Sequence, residues 1–332
     1  MKYRLLGKTS LLVSEVSCGG IPVQKLNEEE TKKLVDCLEE NGVNFIDTAR
    51  GYTVSEALFG YALEGRRKKF YLATKSMART YDAMKKDIEI SLNNLRTDYI
   101  DLYQMHNVKM SDDVSGALMA LREAKAEGKV KHIGITCHSL ESVNKWLESD
   151  DIETIQFPYN FLETDAEKVF EKASRLNKGV IVMKPLAGGV IDNAKVSLKF
   201  ILNNENVSVC IPGMESKEQI IENTSIDNYN LNDDEKEYIN SMREKMDKDF
   251  CHRCGYCLPC TKGIDIPSCF MFYGYYERYG LGNWAESRYN TMKIKASECI
   301  ECGLCEQKCP YNLKIIEKLK KVVEAFENGK DE

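Results

Sequence analysis

The amino-acid sequence predicts an α/β protein in which a parallel (β/α)8 barrel, the TIM-barrel architecture, is followed by a small cysteine-rich domain. Two observations carry this prediction. Short β-branched or aromatic runs alternate with longer amphipathic segments along the first 250 of the 332 residues. Nine of the 13 cysteines then lie between Cys251 and Cys309. We expect the barrel to span residues 1–248 and the second domain residues 249–332.

Eight short runs rich in β-branched or aromatic residues are the predicted barrel strands. They are Val13–Cys18, Val43–Thr48, Phe70–Thr74, Tyr99–Met105, Lys131–Thr136, Thr154–Phe157, Val180–Lys184 and Val207–Ile211. Segments with the period of an amphipathic helix follow nearly all of them, namely Glu28–Glu40, Ser55–Glu64, Tyr81–Leu95, Ser115–Glu127, Leu140–Glu148, Ala166–Asn177, Val196–Asn203 and Lys217–Asn223. Strand–helix units repeated eight times predict a parallel barrel.

A doubly wound open sheet is the alternative arrangement of such units. It usually has fewer strands, and it would place a glycine-rich turn of the pattern G-x-G-x-x-G after its first strand. The sequence there is Cys18-Gly-Gly-Ile-Pro22, which lacks that pattern. We expect an N-terminal hairpin, Tyr3–Leu6 with Leu11–Val13, to close the bottom of the barrel.

Three further segments complete the predicted elements. A helix at Asp233–Met246 follows the eighth unit, and Leu313–Glu327 has the pattern of a closing helix. Between the two cysteine clusters lies the aromatic stretch Phe270–Tyr289. We expect its aromatic side chains to pack the small domain against the barrel.

Charge and hydropathy exclude two classes of partner. The 46 basic and 52 acidic residues leave a net charge of −6, which argues against a general nucleic-acid binder. No apolar run approaches the ~20 residues that a membrane span needs. The start of the chain, Met1–Arg4, has no signal-peptide pattern. We therefore expect a cytoplasmic protein without nucleic-acid or membrane partners.

The second cysteine run, Cys299 to Cys309, has the spacing C-x2-C-x2-C-x3-C-P of bacterial ferredoxins. A disulfide scaffold is disfavoured because the cytosol keeps thiols reduced. Zinc ribbons use two cysteine pairs separated by a longer loop, so the tight spacing favours iron–sulfur over zinc. This part of the chain is predicted to be a ferredoxin-like iron–sulfur domain.

The first run supplies a second C-x2-C-x2-C triplet, so two 4Fe-4S clusters with crossed ligation are expected. One cluster would be held by Cys251, Cys254, Cys257 and Cys309, and the other by Cys299, Cys302, Cys305 and Cys260. The first run departs from the ferredoxin pattern at its end. Only two residues separate Cys257 from Cys260, where the pattern has three, and Thr261 stands where the pattern has proline. Cys269 is therefore the alternative eighth ligand, and otherwise a buried apolar residue.

Ionisable residues stand at the ends of three consecutive predicted strands. These are Asp47, Lys75 and His106, and Tyr52 lies on the loop after the first of them. In a barrel of this kind the strand ends converge on one face, where catalysis takes place. A lysine beside a tyrosine stabilises the tyrosinate form, and an aspartate holds that lysine charged and in place. A histidine can form a hydrogen bond to a substrate oxygen and orient it. This set suits protonation of a carbonyl oxygen while a cofactor delivers hydride.

The motifs that contain these residues resemble the signatures of the aldo-keto reductase family. They read Asp47-Thr-Ala-Arg-Gly-Tyr52-Thr-Val-Ser-Glu, Ala73-Thr-Lys75 and Tyr103-Gln-Met-His106. The whole chain resembles the branch of that family that carries a C-terminal 4Fe-4S ferredoxin-type domain. The resemblance implies a TIM barrel and a catalytic tetrad of Asp47, Tyr52, Lys75 and His106, with Tyr52 as the general acid.

The resemblance also implies a nicotinamide cofactor. Its expected contacts are Gln156, Lys184, Gly213, Glu222 and Asn223. Lys184 stands where many members stack a tyrosine on the nicotinamide ring, and it is predicted either as a barrel-rim lysine or as a phosphate or substrate contact. Gly213 and Gln219 stand where NADPH-preferring members place Lys and Arg, so NADP and NAD both remain candidates.

Three functions compete at this point. The first is an NAD(P)-dependent carbonyl reductase or alcohol dehydrogenase that carries two clusters. The second is an electron-transfer protein that passes electrons to a ferredoxin or another redox partner, with a non-nicotinamide cofactor such as a flavin in the barrel. A hydride moves two electrons together whereas a 4Fe-4S cluster moves one, which keeps the second function open. The third is a structural or regulatory subunit, which the complete tetrad disfavours.

Overall fold

A computed structural model describes residues 1–246 and 251–328 of the chain. The chain divides into two compact units. The first comprises Met1–Ala187 and Asp192–Leu231, and the second Gly188–Ile191 and Asn232–Glu332. The domain boundary expected between residues 248 and 249 lies outside the described residues. Within those residues, no helix is both long enough and apolar enough to cross a membrane.

The first unit contains ten strands. β1 (Tyr3–Leu5) and β2 (Leu12–Ser14) form the antiparallel N-terminal hairpin. The other eight form one sheet in consecutive order, and all their pairings are parallel. They are β3 (Cys18–Gly19), β4 (Phe45–Asp47), β5 (Tyr71–Ser76), β6 (Ile100–Met105), β7 (Val130–Thr136), β8 (Thr154–Pro158), β9 (Gly179–Met183) and β10 (Val209–Cys210). Isolated parallel bridges between residues 16 and 210 and between 19 and 213 join the two ends of the sheet. This is the TIM barrel that the sequence predicts.

Helices follow the barrel strands as expected. They are α1 (Glu28–Glu40), α2 (Ser55–Ala62), α3 (Tyr81–Asn94), α4 (Ser115–Ala126), α5 (Leu140–Leu147), α6 (Glu167–Arg175), α7 (Ala194–Leu202) and α8 (Lys217–Thr224). Local chemistry explains where they begin. Asn27 caps α1 by accepting a hydrogen bond from the backbone N–H of Glu30, whose carboxylate in turn accepts from the backbone N–H of Asn27. The ninth helix, α9 (Asp233–Met246), belongs to the second unit.

The structure differs from the prediction at the first barrel strand. The predicted strand Val13–Cys18 is divided between the hairpin strand β2 and the barrel strand β3. Both pieces are buried, so their apolar pattern resembles one continuous strand. The division arises from distant partners, because the N–H of Ser14 donates to the Asn44 side chain, whereas the N–H of Ser17 donates to the carbonyl of Cys210.

An apolar layer inside the barrel lies directly beneath the residues at the strand ends. Phe45, Ala73 and Leu102 are fully buried and belong to one cluster with Leu6 and Val13 of the N-terminal segment. Alternate residues of a strand share a face. The residue two positions further along each of β4, β5 and β6 therefore points to the same side, and these residues are Asp47, Lys75 and Gln104.

The second unit is helical. Besides α9 it contains α10 (Ile266–Tyr279), α11 (Gly282–Asn290), α12 (Leu304–Lys308) and α13 (Ile315–Phe326). The aromatic stretch Phe270–Tyr289 thus forms most of two helices, which are separated at Gly280, where φ is +61°. The left-handed conformation at this position favours glycine and ends the helix. Buried side chains of α10, α11 and α13 form the core of the unit, and they include Cys269, Tyr289 and Val322.

Candidate active site and cysteine cavities

The barrel brings the predicted catalytic residues to the carboxyl ends of neighbouring strands. Asp47 is the last residue of β4, Lys75 lies near the end of β5, and His106 directly follows β6. The parallel register pairs Asp47 with Ala73 and Lys75 with Gln104. Side chains two residues beyond the apolar layer therefore meet at one end of the barrel.

Asp47 and Lys75 form a buried ion pair. Their side chains are in direct contact, and the exposed fractions of the two residues are 2% and 1%. The Lys75 ammonium also donates to the carbonyl oxygen of Thr48 at 2.7 Å. Burial lowers the pKa of Lys75 and raises that of Asp47, while the attraction between the two charges opposes both shifts. The position of the ammonium is thus fixed by a carboxylate and a carbonyl.

Tyr52 and His106 complete the group. The Lys75 Nζ lies 4.9 Å from the centroid of the Tyr52 ring. The Tyr52 and His106 rings meet edge to face, with centroids 6.1 Å apart and planes at 87°. Both residues are half-buried, in contrast to the ion pair beneath them. All four residues of the predicted tetrad therefore lie together, with the ring-bearing pair closer to solvent.

The sequence reasoning did not identify Gln104 as a functional residue. Its Nε2 donates to Asp47 Oδ1 at 3.2 Å and to Gln156 Oε1 at 2.9 Å. It thereby links the ion pair to Gln156, one of the expected cofactor contacts. Strand periodicity could have found it, because Gln104 stands two residues before His106 and opposite Lys75 in the register.

Glu56 is a second residue that the sequence reasoning passed over. This carboxylate on α2 is 1% exposed and accepts four side-chain hydrogen bonds. The donors are Arg50 (2.9 Å), Thr74 (2.7 Å), Ser91 (2.8 Å) and Asn94 (3.1 Å). Thr74 precedes Lys75 on β5, and Arg50 lies between Asp47 and Tyr52 in the chain. Glu56 therefore ties the loop that carries Tyr52 to the strand that carries Lys75.

The backbone beyond β6 is fixed by Arg79. Its guanidinium donates to the carbonyl oxygens of His106 at 2.9 Å and Asn107 at 3.0 Å, and it is held by Asp112 at 2.8 Å. The N–H of Asn107 donates to Thr136 Oγ1 at 2.7 Å. These bonds fix the backbone at His106 and Asn107, the first two residues after β6.

The expected cofactor contacts lie on β8 and after β9 and β10. Gln156 is a buried residue of β8, and Lys184 follows β9 with φ at +55°. Gly213 follows β10, and a Cβ at this position would lie 2.8 Å from Pro22 Cγ. Because that contact leaves no room for a side chain, close packing accounts for the glycine at this position.

The other two contacts lie on α8. Glu222 is exposed, whereas Asn223 is 3% exposed. Among the residues that the structure describes, Asn223 Oδ1 has no hydrogen-bond partner. A buried amide oxygen without a donor is costly, so this atom is suited to accept from a bound ligand.

Eight of the nine cysteines of the second unit are arranged around two cavities. Cavity A is lined by Cys251, Cys254, Cys257 and Cys309. Cavity B is lined by Cys260, Cys299, Cys302 and Cys305, and Cys257 also borders it. Each cavity thus combines the first three cysteines of one run with the last cysteine of the other. This is the arrangement that crossed ligation of two clusters requires.

Cys269 lines neither cavity and is fully buried in the core of the second unit. In the described part of the chain, no three Cys, His, Asp or Glu side chains converge closely enough to hold a single metal ion. Tetrahedral zinc with Zn–S bonds of about 2.3 Å would need such convergence. The cysteines instead surround spaces, as the ligands of a larger group would.

Comparison with known proteins agrees with this geometry. Residues 16–197 match the model of the aldo/keto reductase family, and residues 250–314 match that of a 4Fe-4S dicluster domain. The uncharacterized oxidoreductase YqkF of Bacillus subtilis (strain 168) is 29% identical over 220 residues, which cover 60% of this chain and 71% of that protein. A second uncharacterized oxidoreductase of the same strain, YrpG, is 31% identical over 222 residues, which cover 58% of this chain and 68% of that protein.

A solved structure shares the fold of the barrel. The holo form of aldo-keto reductase AKR11C1 from Bacillus halodurans superposes with a TM-score of 0.64 at 26% sequence identity. The match covers 73% of this chain and 96% of that protein.

Proposed function

Because the chain belongs to the aldo/keto reductase family and carries a C-terminal 4Fe-4S dicluster domain, we propose that it is an oxidoreductase that interconverts a small carbonyl compound and an alcohol with NADP or NAD. The observation that carries this proposal is the group of four side chains at the barrel end. A buried Asp47–Lys75 ion pair lies beneath Tyr52, and His106 stands against the tyrosine ring.

Tyr52 is proposed as the general acid in reduction and the general base in oxidation. A phenol, with an ordinary pKa near 10, is a weak acid at neutral pH. The Lys75 ammonium, 4.9 Å from the ring centroid, favours the phenolate that forms when Tyr52 gives its proton to the carbonyl oxygen. Asp47 keeps this ammonium in position, and His106 orients the same oxygen by a hydrogen bond.

The nicotinamide supplies the hydride when it is bound. The residues of this chain fit such a cofactor at two points. The unsatisfied Asn223 Oδ1 offers an acceptor, and Gln156 lies within the hydrogen-bonded group that contains Asp47. Glu222, Lys184 and Gly213 are the remaining proposed contacts. Gly213 and Gln219 bring no positive charge, so the residues do not decide between NADP and NAD.

Each cavity of the second unit is proposed to hold one 4Fe-4S cluster. The ligands in cavity A would be the four cysteines that line it. The ligands in cavity B would be Cys260 and the first three cysteines of the second run. Cys254 and Cys302 are exposed, so each cluster would lie near the surface. Exchange of single electrons with a ferredoxin or another redox protein is the proposed role of this unit. A cytoplasmic location remains a prediction.

The proposal is tested on protein purified without oxygen. We expect the wild type to oxidise NADPH or NADH in the presence of carbonyl compounds from a panel. Tyr52→Phe should lower this turnover by about 10²–10⁴-fold, the usual contribution of a general acid. Tyr61→Phe, which removes a hydroxyl bonded to Glu29 on the outer side of the barrel, is the matched control and should keep wild-type turnover.

Two results would contradict this function. Full turnover in Tyr52→Phe would exclude the tyrosine as the acid. If the clusters are reduced and reoxidised by a redox protein in both variants while no nicotinamide is consumed, the protein is an electron carrier, the alternative that the sequence left open.

A further inference from the structure

Thr261 occupies a position where the two cysteine runs differ chemically. It directly follows Cys260, the last cysteine of the first run, and the equivalent position after Cys309 is Pro310. Threonine carries a hydroxyl that can donate a hydrogen bond, whereas the proline ring has no donor. The difference therefore adds a donor beside one group of cysteines.

The Thr261 hydroxyl is directed at a cysteine of the other run. Its Oγ1 lies 3.6 Å from the sulfur of Cys302, within hydrogen-bonding range for sulfur. Both residues line cavity B. A cluster ligand is a thiolate, which can only accept, so the hydroxyl must be the donor in the loaded protein.

The charged residues that border the two cavities distinguish them less clearly than this hydroxyl does. Cavity B is bordered by Lys262, and cavity A by Arg253 and His252. Each cavity therefore has a basic residue close by, and the hydroxyl at Cys302 is an addition on one side.

We propose that Thr261 is a tuning residue, which raises the reduction potential of the cluster in cavity B by hydrogen-bonding to the Cys302 thiolate. The inference rests on the two clusters of the proposed function. Reduction adds one electron and hence one negative charge to a cluster, and a donor at a ligand sulfur stabilises that added charge. The cluster in cavity B thus accepts an electron more readily than it would without the hydroxyl.

The test is a redox titration of the whole protein, followed by electron paramagnetic resonance, after iron and sulfide have been measured. Thr261→Val keeps the shape of the side chain and removes the donor. We expect one of the two cluster potentials to fall, so that the ratio of reduced to oxidised cluster at a fixed potential drops about tenfold, which is 59 mV for one electron. The other potential should stay where it is.

Two variants serve as controls. Thr261→Ser retains a hydroxyl and should stay close to wild type. Thr291→Val removes an exposed hydroxyl that bonds only the Arg288 carbonyl among the described contacts, and it should change neither potential. If Thr261→Val does not assemble its clusters, Thr261→Ala replaces it, with the same expected fall. The Fe–S(Cys) stretching bands in resonance Raman spectra should rise in frequency when the hydrogen bond is lost.

Two outcomes overturn the inference, and they are distinguishable. Unchanged potentials and unchanged Raman bands in a donor-free variant with full iron content would remove the role of Thr261 and leave the clusters in place. Wild-type protein without iron and sulfide would overturn both this inference and the proposed iron–sulfur function.

Discussion

The barrel site and the cysteine cavities differ in how far the protein alone holds their functional groups in place. At the barrel end, Asp47, Lys75, Gln104 and Gln156 bond to one another and are at most 2% exposed. In the second unit, the cysteines border two cavities, and some of them, such as Cys302, are exposed. The barrel site is therefore preorganised by its own hydrogen bonds, whereas we expect the order of the cavities to depend on the clusters proposed to bind there.

The surroundings reinforce this contrast. The barrel site rests on a fully buried apolar layer that includes Phe45 and Leu102. The second unit has only a small core of its own. Small domains bury too little apolar surface to be stable alone and often take folding free energy from a bound metal. We expect the two regions to respond in opposite ways when ligands or buried charges are removed.

The largest expected effect is the loss of the clusters. Oxidation of the clusters followed by chelation of the iron should unfold residues 251–314, because the cavities then have nothing to hold their cysteines together. The backbone amides of the barrel strands should keep their protection against hydrogen exchange. Hydrogen exchange measured by mass spectrometry before and after iron removal checks this. Equal protection of both units without iron would show that the cysteine domain is as self-supporting as the barrel.

The second effect concerns the barrel. Lys75→Met leaves the Asp47 carboxylate buried without its counter-charge, and we expect this to lower the free energy of unfolding by about 3–5 kcal/mol. Urea unfolding followed by circular dichroism measures the change. The double variant Asp47→Asn/Lys75→Met removes both charges and should recover most of the stability. A single variant as stable as the wild type would mean that the pair is not buried as the structure shows.

The third comparison is made within the second unit. Cys260→Ala removes a residue that lines cavity B, so the variant should bind about half the iron of the wild type. Cys269→Ala changes a core residue that lines neither cavity, and its iron content should be unchanged. Iron and sulfide assays on protein prepared without oxygen give the answer. Iron loss in Cys269→Ala with full iron in Cys260→Ala would reverse the ligand assignment.

The smallest expected effect is on pH dependence. Burial lowers the pKa of Lys75, and the negative charges of Asp47 and Glu56 oppose that shift. Since the proposed role of Tyr52 depends on the charged ammonium, turnover should be lost as pH rises through the pKa of Lys75. Glu56→Gln removes one opposing charge, so this loss should begin at lower pH. Glu64→Gln, at an exposed carboxylate, is the control and should leave the profile in place. An unmoved profile in Glu56→Gln would exclude an electrostatic role for that residue.

Strand and helix periodicity was enough to predict the barrel, since each strand–helix unit is a local pattern. It failed at Val13–Cys18, because the apolar pattern does not show which sheet each half joins. Those partners, Asn44 and Cys210, are distant in the chain. The helices α10 and α11 were not predicted within the aromatic stretch, because aromatic side chains around the whole helix hide an amphipathic period.

The candidate site shows the same difference between local sequence patterns and contacts made by residues distant in the chain. The sequence predicted Asp47, Tyr52, Lys75 and His106 as site residues because each stands at or after a strand end. Gln104 and Glu56 were missed, since their importance depends on contacts made across long separations. Gln104 meets Asp47, which is 57 residues away, and Glu56 meets Ser91, which is 35 residues away. Buried polar partners of this kind become visible only once the strands are assembled.

The crossed lining of the two cavities has a consequence for how the protein is made. Cavity B lacks its full set of cysteines until residue 305 has been synthesised, and cavity A lacks its set until residue 309 has been synthesised. The barrel, in contrast, is complete in sequence well before that point. If the cavities hold the proposed clusters, we expect iron insertion to be a late event that follows synthesis of nearly the whole chain. A cluster held by both Cys251 and Cys309 would tie these positions together as a covalent cross-link does, and it would reduce the conformational entropy of the segment between them in the unfolded chain.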